Sequence, residues 1–381
     1  MSIGVSHADR LGRVVEAIAS NNTAGAEAHV AELFAAIGDQ VAPESVGYYV
    51  FGAALARRLS PAVAEQANLY LSQFDVPQIR LFDLLATQVP QVALTTVIAN
   101  RCIARALRGS SHATLIDVGI GTGRQITSLL TLLHDEGQLP ERLTLIGIEP
   151  AEWCIAVAQQ NVSELAAKLG VELDFHAFSS PIEHLDQQAW AALARLCPTR
   201  PVINGSFAFH HISDIDGRDV RDDVFLRLRS LDPVALVLSE PDVNHHEPDF
   251  SRRFTNSWRH FETTFRVIDG LPITQVDKDA LKVNFFGREI ADILGNPEGT
   301  RSERHETSAS WLRRLRATGF EPELEVDLPA SGLVIGVAAR GDHATLEYRG
   351  ESLVAMLASK AAKGQFDIEG ALARAPRAVG E

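Results

Sequence analysis

Apolar positions in the first part of the chain recur with a helical period. Leu11, Val14, Val15 and Ile18 fall at i, i+3, i+4 and i+7, and Val30, Leu33, Phe34 and Ile37 repeat the pattern. Further helices are expected over 45–59, 61–74 and 91–107, so residues 1 to about 110 read as a helical region. At Thr114 the pattern changes. Short apolar runs at 114–118, 143–148, 171–175, 201–204 and 234–239 alternate with helical stretches, which predicts a parallel sheet covered by helices. Two more runs, 321–328 and 333–340, are separated only by Pro329, Ala330, Ser331 and Gly332. So short a connection implies an antiparallel pair, because a parallel one needs a long crossover.

About eighty residues separate the fifth and sixth runs, more than a crossover needs. Phe250, Phe254, Trp258, Phe261 and Phe265 share one helical face there. That stripe reads either as core packing or as the wall or lid of a pocket. The expected organisation is a helical cap over 1–110, a core over 111–350 with a helical insertion at about 245–310, and a tail over 351–381. Within the tail, 352–362 reads as a helix.

Composition narrows the function classes. Of the 381 residues, 35 are basic and 49 acidic, for a net charge of −14. An acidic body repels phosphate backbones, and the short basic groups Arg252-Arg253 and Arg313, Arg314, Arg316 read as solvated helix faces. Nucleic-acid partners are therefore not expected. Cys102, Cys154 and Cys197 are too few and too scattered for a disulfide framework. Neither a leader peptide nor an apolar run of the ~18 residues needed to cross a bilayer is present, so the expectation is a cytoplasmic protein without membrane contact.

The strongest chemical signal is Asp117-Val118-Gly119-Ile120-Gly121-Thr122-Gly123, where an apolar strand runs into a glycine turn and a helix follows. The Gly-x-Gly-x-Gly spacing lacks the Gly-Lys-Ser/Thr of a phosphate loop. Asp117 would repel a pyrophosphate and attract a sulfonium or an ammonium. Glu149 ends the second strand, 32 residues later, where a carboxylate can accept from both ribose hydroxyls. These residues point to S-adenosyl-L-methionine rather than a dinucleotide, with Ser179 after the third strand placed to meet the adenine. The five α/β units followed by an antiparallel hairpin then give the fold class: α/β, a Rossmann-like class I methyltransferase sheet with an N-terminal α-helical cap.

The fourth run leads into Phe209-His210-His211 and the fifth ends Glu240-Pro241-Asp242-Val243-Asn244-His245. A histidine there can act as a base near neutral pH or can cap and orient the next helix. Asn244, His245 and Glu240 would line a polar substrate rim. Metal binding is the lesser reading, since neither histidine pair has the spacing that aims two rings at one ion from a helix. Arg304-His305-Glu306 is either a salt-bridged start to the Trp311 helix or a polar arm into the same cleft, with Arg304 as a substrate contact.

Taken in order, these motifs resemble the GRAS family, known from plant transcriptional regulators and from bacterial members thought to be methyltransferases. Leu115-Ile116-Asp117 matches the Val-His-Ile-Ile-Asp hallmark, and 202–210 (Val-Ile-Asn-Gly-Ser-Phe-Ala-Phe-His) is similar to a Val-Asn-Ser-Val-Phe-Glu-Leu-His strand. Residues 240–245 resemble Glu-x-Glu-x-Asn-His, and 304–307 resemble Arg-His-Glu-Thr. Plant members commonly have an eroded glycine loop and lack the carboxylate after the second strand. This chain keeps Gly119, Gly121, Gly123 and Glu149, so the resemblance implies the bacterial, cofactor-competent branch and a helical cap over the cofactor domain. The expected function is an S-adenosylmethionine-dependent methyltransferase acting on a small molecule, with His210, then His211, as base or orienting group. The alternative is a non-catalytic small-ligand-binding or regulatory module that contacts a protein partner. Homo-oligomerisation stays open.

Overall fold

A computed structural model describes residues 5–60, 78–325 and 334–362. The expected helix over 61–74 lies outside them, as do 326–333 and the last part of the tail. Among the described residues, no single helix is long and apolar enough to cross a membrane. The chain divides into two units, Met1–Ala93 with Val243–His305 and Tyr348–Leu353, and Leu94–Asp242 with Glu306–Glu347 and Val354–Glu381.

The first unit is helical. Helix α1 (His7–Ala19) starts at a capping box in which the Ser6 hydroxyl accepts from Asp9 N and the Asp9 carboxylate accepts from Ser6 N. Helices α2 (Thr23–Ile37), α3 (Val46–Leu59), α4 (Gln78–Gln88) and the start of α5 (Pro90–Leu107) follow. Helix α10 (Phe250–Asp269) and a second helical stretch, Gln275–Ala280 continuing through π-type turns to Gly295, come from the insertion. Leu11, Val14, Val30, Leu33 and Phe51 of the N-terminal helices share one apolar core with Phe261, Phe265, Ile293 and Leu294. The aromatic stripe is part of it: the Phe51 ring lies 4.8 Å from Trp258, 5.8 Å from Phe254 and 6.5 Å from Phe261. Core packing, not a pocket lid, is what those five spacings encode.

The second unit is a mixed sheet flanked by helices. Strands β1 (His112–Val118), β2 (Arg142–Ile148), β3 (Glu172–Phe178), β4 (Val202–Ser206) and β5 (Ala235–Pro241) pair in parallel in the order β3-β2-β1-β4-β5. Helices α6 (Arg124–Asp135), α7 (Glu152–Leu169), α8 (Gln187–Arg195) and α9 (Arg221–Ser230) form the crossovers. The strand order reverses at β1, between β2 and β4, so the C-terminal end of β1 lies at the crevice where such sheets bind ligands.

The antiparallel closure differs from the expected hairpin. Strand β6 is only Phe320–Pro322, and β7 (Gly336–Ala339) pairs with β8 (His343–Tyr348) rather than with β6. The strand placed against β5 is β9 (Glu351–Ala361), with Glu240 opposite Ala355 and Leu238 opposite Leu357. The expected tail helix at 352–362 is thus a strand of the sheet, and the core does not end at residue 350. Residues 353–358 (Leu-Val-Ala-Met-Leu-Ala) are all buried. A strand covered on both faces shows no period-two alternation, and Leu, Ala and Met favour helices in isolation.

Candidate functional site

At the end of β1 the chain turns through three glycines before α6 begins at Arg124. Gly119, Gly121 and Gly123 have φ of 77°, 52° and 74°, in the left-handed region that side chains rarely adopt. They are not equivalent. A Cβ on Gly123 would stand 3.1 Å from Ala158 Cα and 3.0 Å from a Val162 methyl, so this glycine seats α7 against the loop. A Cβ on Gly119 would stand 2.8 Å from the Ala208 side chain. At Gly121 nothing lies closer than 4.0 Å, and only there does bare backbone face open space.

Glu149, half-buried just past β2, holds this loop. Its Oε2 accepts from Gly121 N at 3.2 Å and its Oε1 accepts from Ala151 N at 3.1 Å. Each oxygen keeps a second acceptor site, so the carboxylate can stitch the loop and still receive a hydroxyl donor. Ser179 is exposed and follows Phe178, whose carbonyl accepts from Glu149 N at 3.1 Å. Ser179 therefore belongs to the same rim as Glu149.

Asp117 plays a different part from the one expected. It is 2% exposed within β1, opposite Asn204 of β4, whose Nδ2 donates to Asp117 Oδ1 at 2.7 Å. Burial pushes its carboxyl up to about 7, the hydrogen bond from Asn204 opposes that shift, and the Glu149 charge adds to it. Gln125 Nε2 in turn donates to Asn204 Oδ1 at 3.3 Å, and Asn100 Nδ2 donates to the Gln125 carbonyl at 3.2 Å. This polar chain ties β1, β4, α6 and α5 beneath the loop. Asn204 and Gln125 were missed from sequence; the available signal was an asparagine within an otherwise apolar strand.

The burial of Asp117 makes stability depend on pH. Its folded pKa lies above the ordinary carboxylate value, so between about 4 and 7 the folded state holds the proton more tightly than the unfolded chain does. Stability from this group is full below that window and falls as pH rises through it. Asp117→Asn keeps an oxygen for Asn204 and removes the charge. The variant should gain about 1–3 kcal/mol over the native protein at pH 8 and show no gain at pH 4, read from urea unfolding at both pH values.

At the ends of β4 and β5 the sequence placed a base and a substrate rim, and the structure makes a buried anchor instead. Glu240, 0% exposed, accepts from the backbone N–H of Ala208 at 3.1 Å, Phe209 at 2.8 Å and His210 at 3.3 Å, and its Oε2 lies 2.5 Å from His210 Nδ1. Glu240 therefore lines no rim. His210 is 3% exposed, and that carboxylate orients its ring. His211 is exposed, its ring centroid 3.9 Å from that of His210.

Three further expected substrate contacts fold into the helical unit. His245 is fully buried, stacked on Phe261 at 5.6 Å, with Nδ1 facing His305 Nδ1 at 2.8 Å. Arg304 is buried, its Nε donating to the Arg301 carbonyl at 3.2 Å and an amino group to the Glu298 carbonyl at 3.1 Å. Asn244 is half-buried, and its carbonyl accepts from Asn256 Nδ2 at 2.9 Å. The salt-bridged alternative for 304–306 survives at Glu306, which accepts from Arg314 at 2.6 Å. Arg314 also reaches Asp222 at 2.6 Å and Asp219 at 2.5 Å. Arg253 donates to Glu298 at 2.5 Å, and Arg316 pairs with Asp342. These arginines of the two basic groups are thus engaged by carboxylates within their own units.

The profile of the GRAS domain family matches residues 8–329. The chain belongs to the GRAS domain family. It is 28% identical over 328 residues to DELLA protein RGA2 of Brassica campestris, covering 84% of this chain and 54% of that protein. Over 314 residues it is 28% identical to DELLA protein 2 of Medicago truncatula, covering 81% of this chain and 56% of that one. The chain therefore spans about half the length of these curated relatives. Among solved structures, SCL7 of Oryza sativa superposes with a TM-score of 0.72 at 21% identity, covering 87% of this chain and 94% of that one, which shows a shared fold.

These matches correct the expectation of an enzyme. The relatives are named as DELLA proteins rather than as methyltransferases, and the shared fold is that of SCL7. The relatives named are plant proteins, so the expected bacterial branch finds no counterpart among them.

Proposed function

We propose that this chain is a non-catalytic GRAS-type regulatory module whose glycine loop holds a small nucleoside-type ligand and whose surface contacts a protein partner. One observation carries the reading. The residues suited to acid–base work, His210 and Glu240, are consumed in anchoring the β4 end, while Gly121 and Glu149 leave bare backbone and acceptor capacity at the crevice. A site of that kind is built to hold a molecule rather than to transform it.

S-adenosylmethionine fits this donor set in part. Its ribose hydroxyls would donate to the remaining acceptor sites of Glu149, and the absence of a phosphate matches a loop without lysine. Asp117, buried and bonded to Asn204, offers it no exposed charge. Calorimetric titration with S-adenosylmethionine tests the ligand. The native chain should bind, and Glu149→Ala should weaken binding by about tenfold or more, the loss of one charge-assisted acceptor. Silence from the native chain at millimolar ligand removes S-adenosylmethionine from the reading.

A further inference from the structure

The helical unit packs histidines where an added charge would be stranded. His245 comes from the stretch after β5, His260 from α10 and His305 from the segment that ends the insertion. Their ring centroids lie 4.8 Å apart for 245–305, 5.9 Å for 245–260 and 6.4 Å for 260–305. His245 and His305 have no exposure, and His260 is half-buried. Their hydrogen bonds assign the protons. His305 Nε2 donates to Glu303 Oε2 at 3.3 Å, so His305 Nδ1 accepts from His245 Nδ1 at 2.8 Å. His245 Nε2 is then a bare lone pair, buried without a hydrogen-bond partner, and His260 Nδ1 is buried without one as well.

A proton reaching His245 would land on that lone pair and create an N–H with no acceptor inside the unit's core. The surrounding elements supply little to offset it. Segment 298–305 brings Glu303, which favours a charged ring, and Arg301, which opposes one and whose Nη1 donates to the His245 carbonyl at 2.9 Å. The helical stretch after α10 brings Glu289, whose carboxyl is pushed well above its ordinary range by burial and by the Glu303 charge, so it adds no second anion. Helix α10 brings His260 and the apolar ring of Phe261, 5.6 Å from His245. Burial and the neighbouring histidines hold His245 well below its ordinary value, and burial and His305 push His260 down to about 3.

We propose that His245 and His260 form an acid-sensitive lock in the helical unit, closed while both rings are neutral and opened as they take up protons below about pH 6. An unfolded or opened chain protonates these imidazoles below about 6.5, whereas the closed unit does not. Their contribution is therefore full above that pH and is lost as pH falls. Glu289 acts with the opposite sign, since its raised carboxyl favours the closed unit in acid, so the lock is isolated by comparing variants across pH. The proposal does not depend on what the glycine loop binds.

Hydrogen exchange of the full chain at pH 7.5 and 5.5, corrected for the intrinsic rate, tests the lock. Protection of α10 should fall about 100-fold at the lower pH, roughly tenfold for each ring. Strand β1, which belongs to the other unit, should keep its protection. His245→Asn retains an N–H toward His305 but takes up no proton, and His260→Asn likewise removes a titrating ring. Each variant should reduce the loss in α10 to about tenfold, and the double variant should abolish it. Should the variants not fold, imidazole NMR of the native chain decides instead: two of the 13 histidines should stay neutral down to pH 5. Protection of α10 that ignores pH, an equal loss in β1, an unchanged loss in the folded double variant, or all 13 rings titrating near 6.5 would overturn the proposal.

Discussion

Replacing Glu240 by Ala should cost about 3–5 kcal/mol of stability, the largest effect of any single change considered for the sheet unit. The carboxylate has no exposure and accepts from three successive backbone N–H groups and from His210. Its removal would leave those donors buried without their acceptor, and each stranded donor carries a desolvation penalty of about 1–3 kcal/mol. Relaxation and water entry into the space left behind keep the total below the simple sum. Glu240→Gln is the informative partner, since it preserves volume and one oxygen but aims an amide N–H at backbone donors; it should lose roughly half as much. Urea unfolding of both variants measures this. A loss under about 1 kcal/mol for the alanine variant would mean that Glu240 does not anchor the turn.

The second large effect is expected at Gly123. Alanine there must adopt a φ of 74° and place its Cβ 3.1 Å from the backbone of Ala158, on α7. The left-handed conformation costs about 1–2 kcal/mol, and shifting a helix by a few tenths of an ångström adds a comparable amount, for roughly 2–4 kcal/mol in all. Gly121→Ala makes the contrast. Its φ of 52° carries the same conformational cost, but its Cβ would enter open space. That variant should lose only about 1–2 kcal/mol in stability, while its new methyl obstructs whatever approaches the loop. Thermal unfolding paired with S-adenosylmethionine calorimetry separates the two positions. If both variants unfold alike and neither alters binding, Gly121 is no more a ligand position than Gly123.

Both predictions bear on what the GRAS resemblance can and cannot carry. The motif 240–245 was legible as a series of residues, and its placement at the end of β5 was correct. Its chemistry was not. A glutamate at a strand tip reads as a group facing a ligand, whereas this one turns inward onto the 208–210 turn, about thirty residues away in sequence. Likewise, Asp117 was expected to present an anion and instead shares a hydrogen bond with Asn204 inside the sheet. In each case the partner that consumes the carboxylate comes from a neighbouring strand or turn, so no local spacing reveals it.

The sequence alone determined where α1, α2, α3, α5 and the five parallel strands run, and that a glycine turn follows β1. Those features depend on periodicity and backbone preference, which each segment carries within itself. Only the tertiary structure decided that 351–361 is a strand beside β5, because burial on both faces erases the alternation that would mark it. It also decided which polar side chains stay available to a ligand and which are absorbed into the protein. The choice depends on donors that arrive from distant segments, since a carboxylate is taken up by whichever buried N–H groups the fold brings within reach.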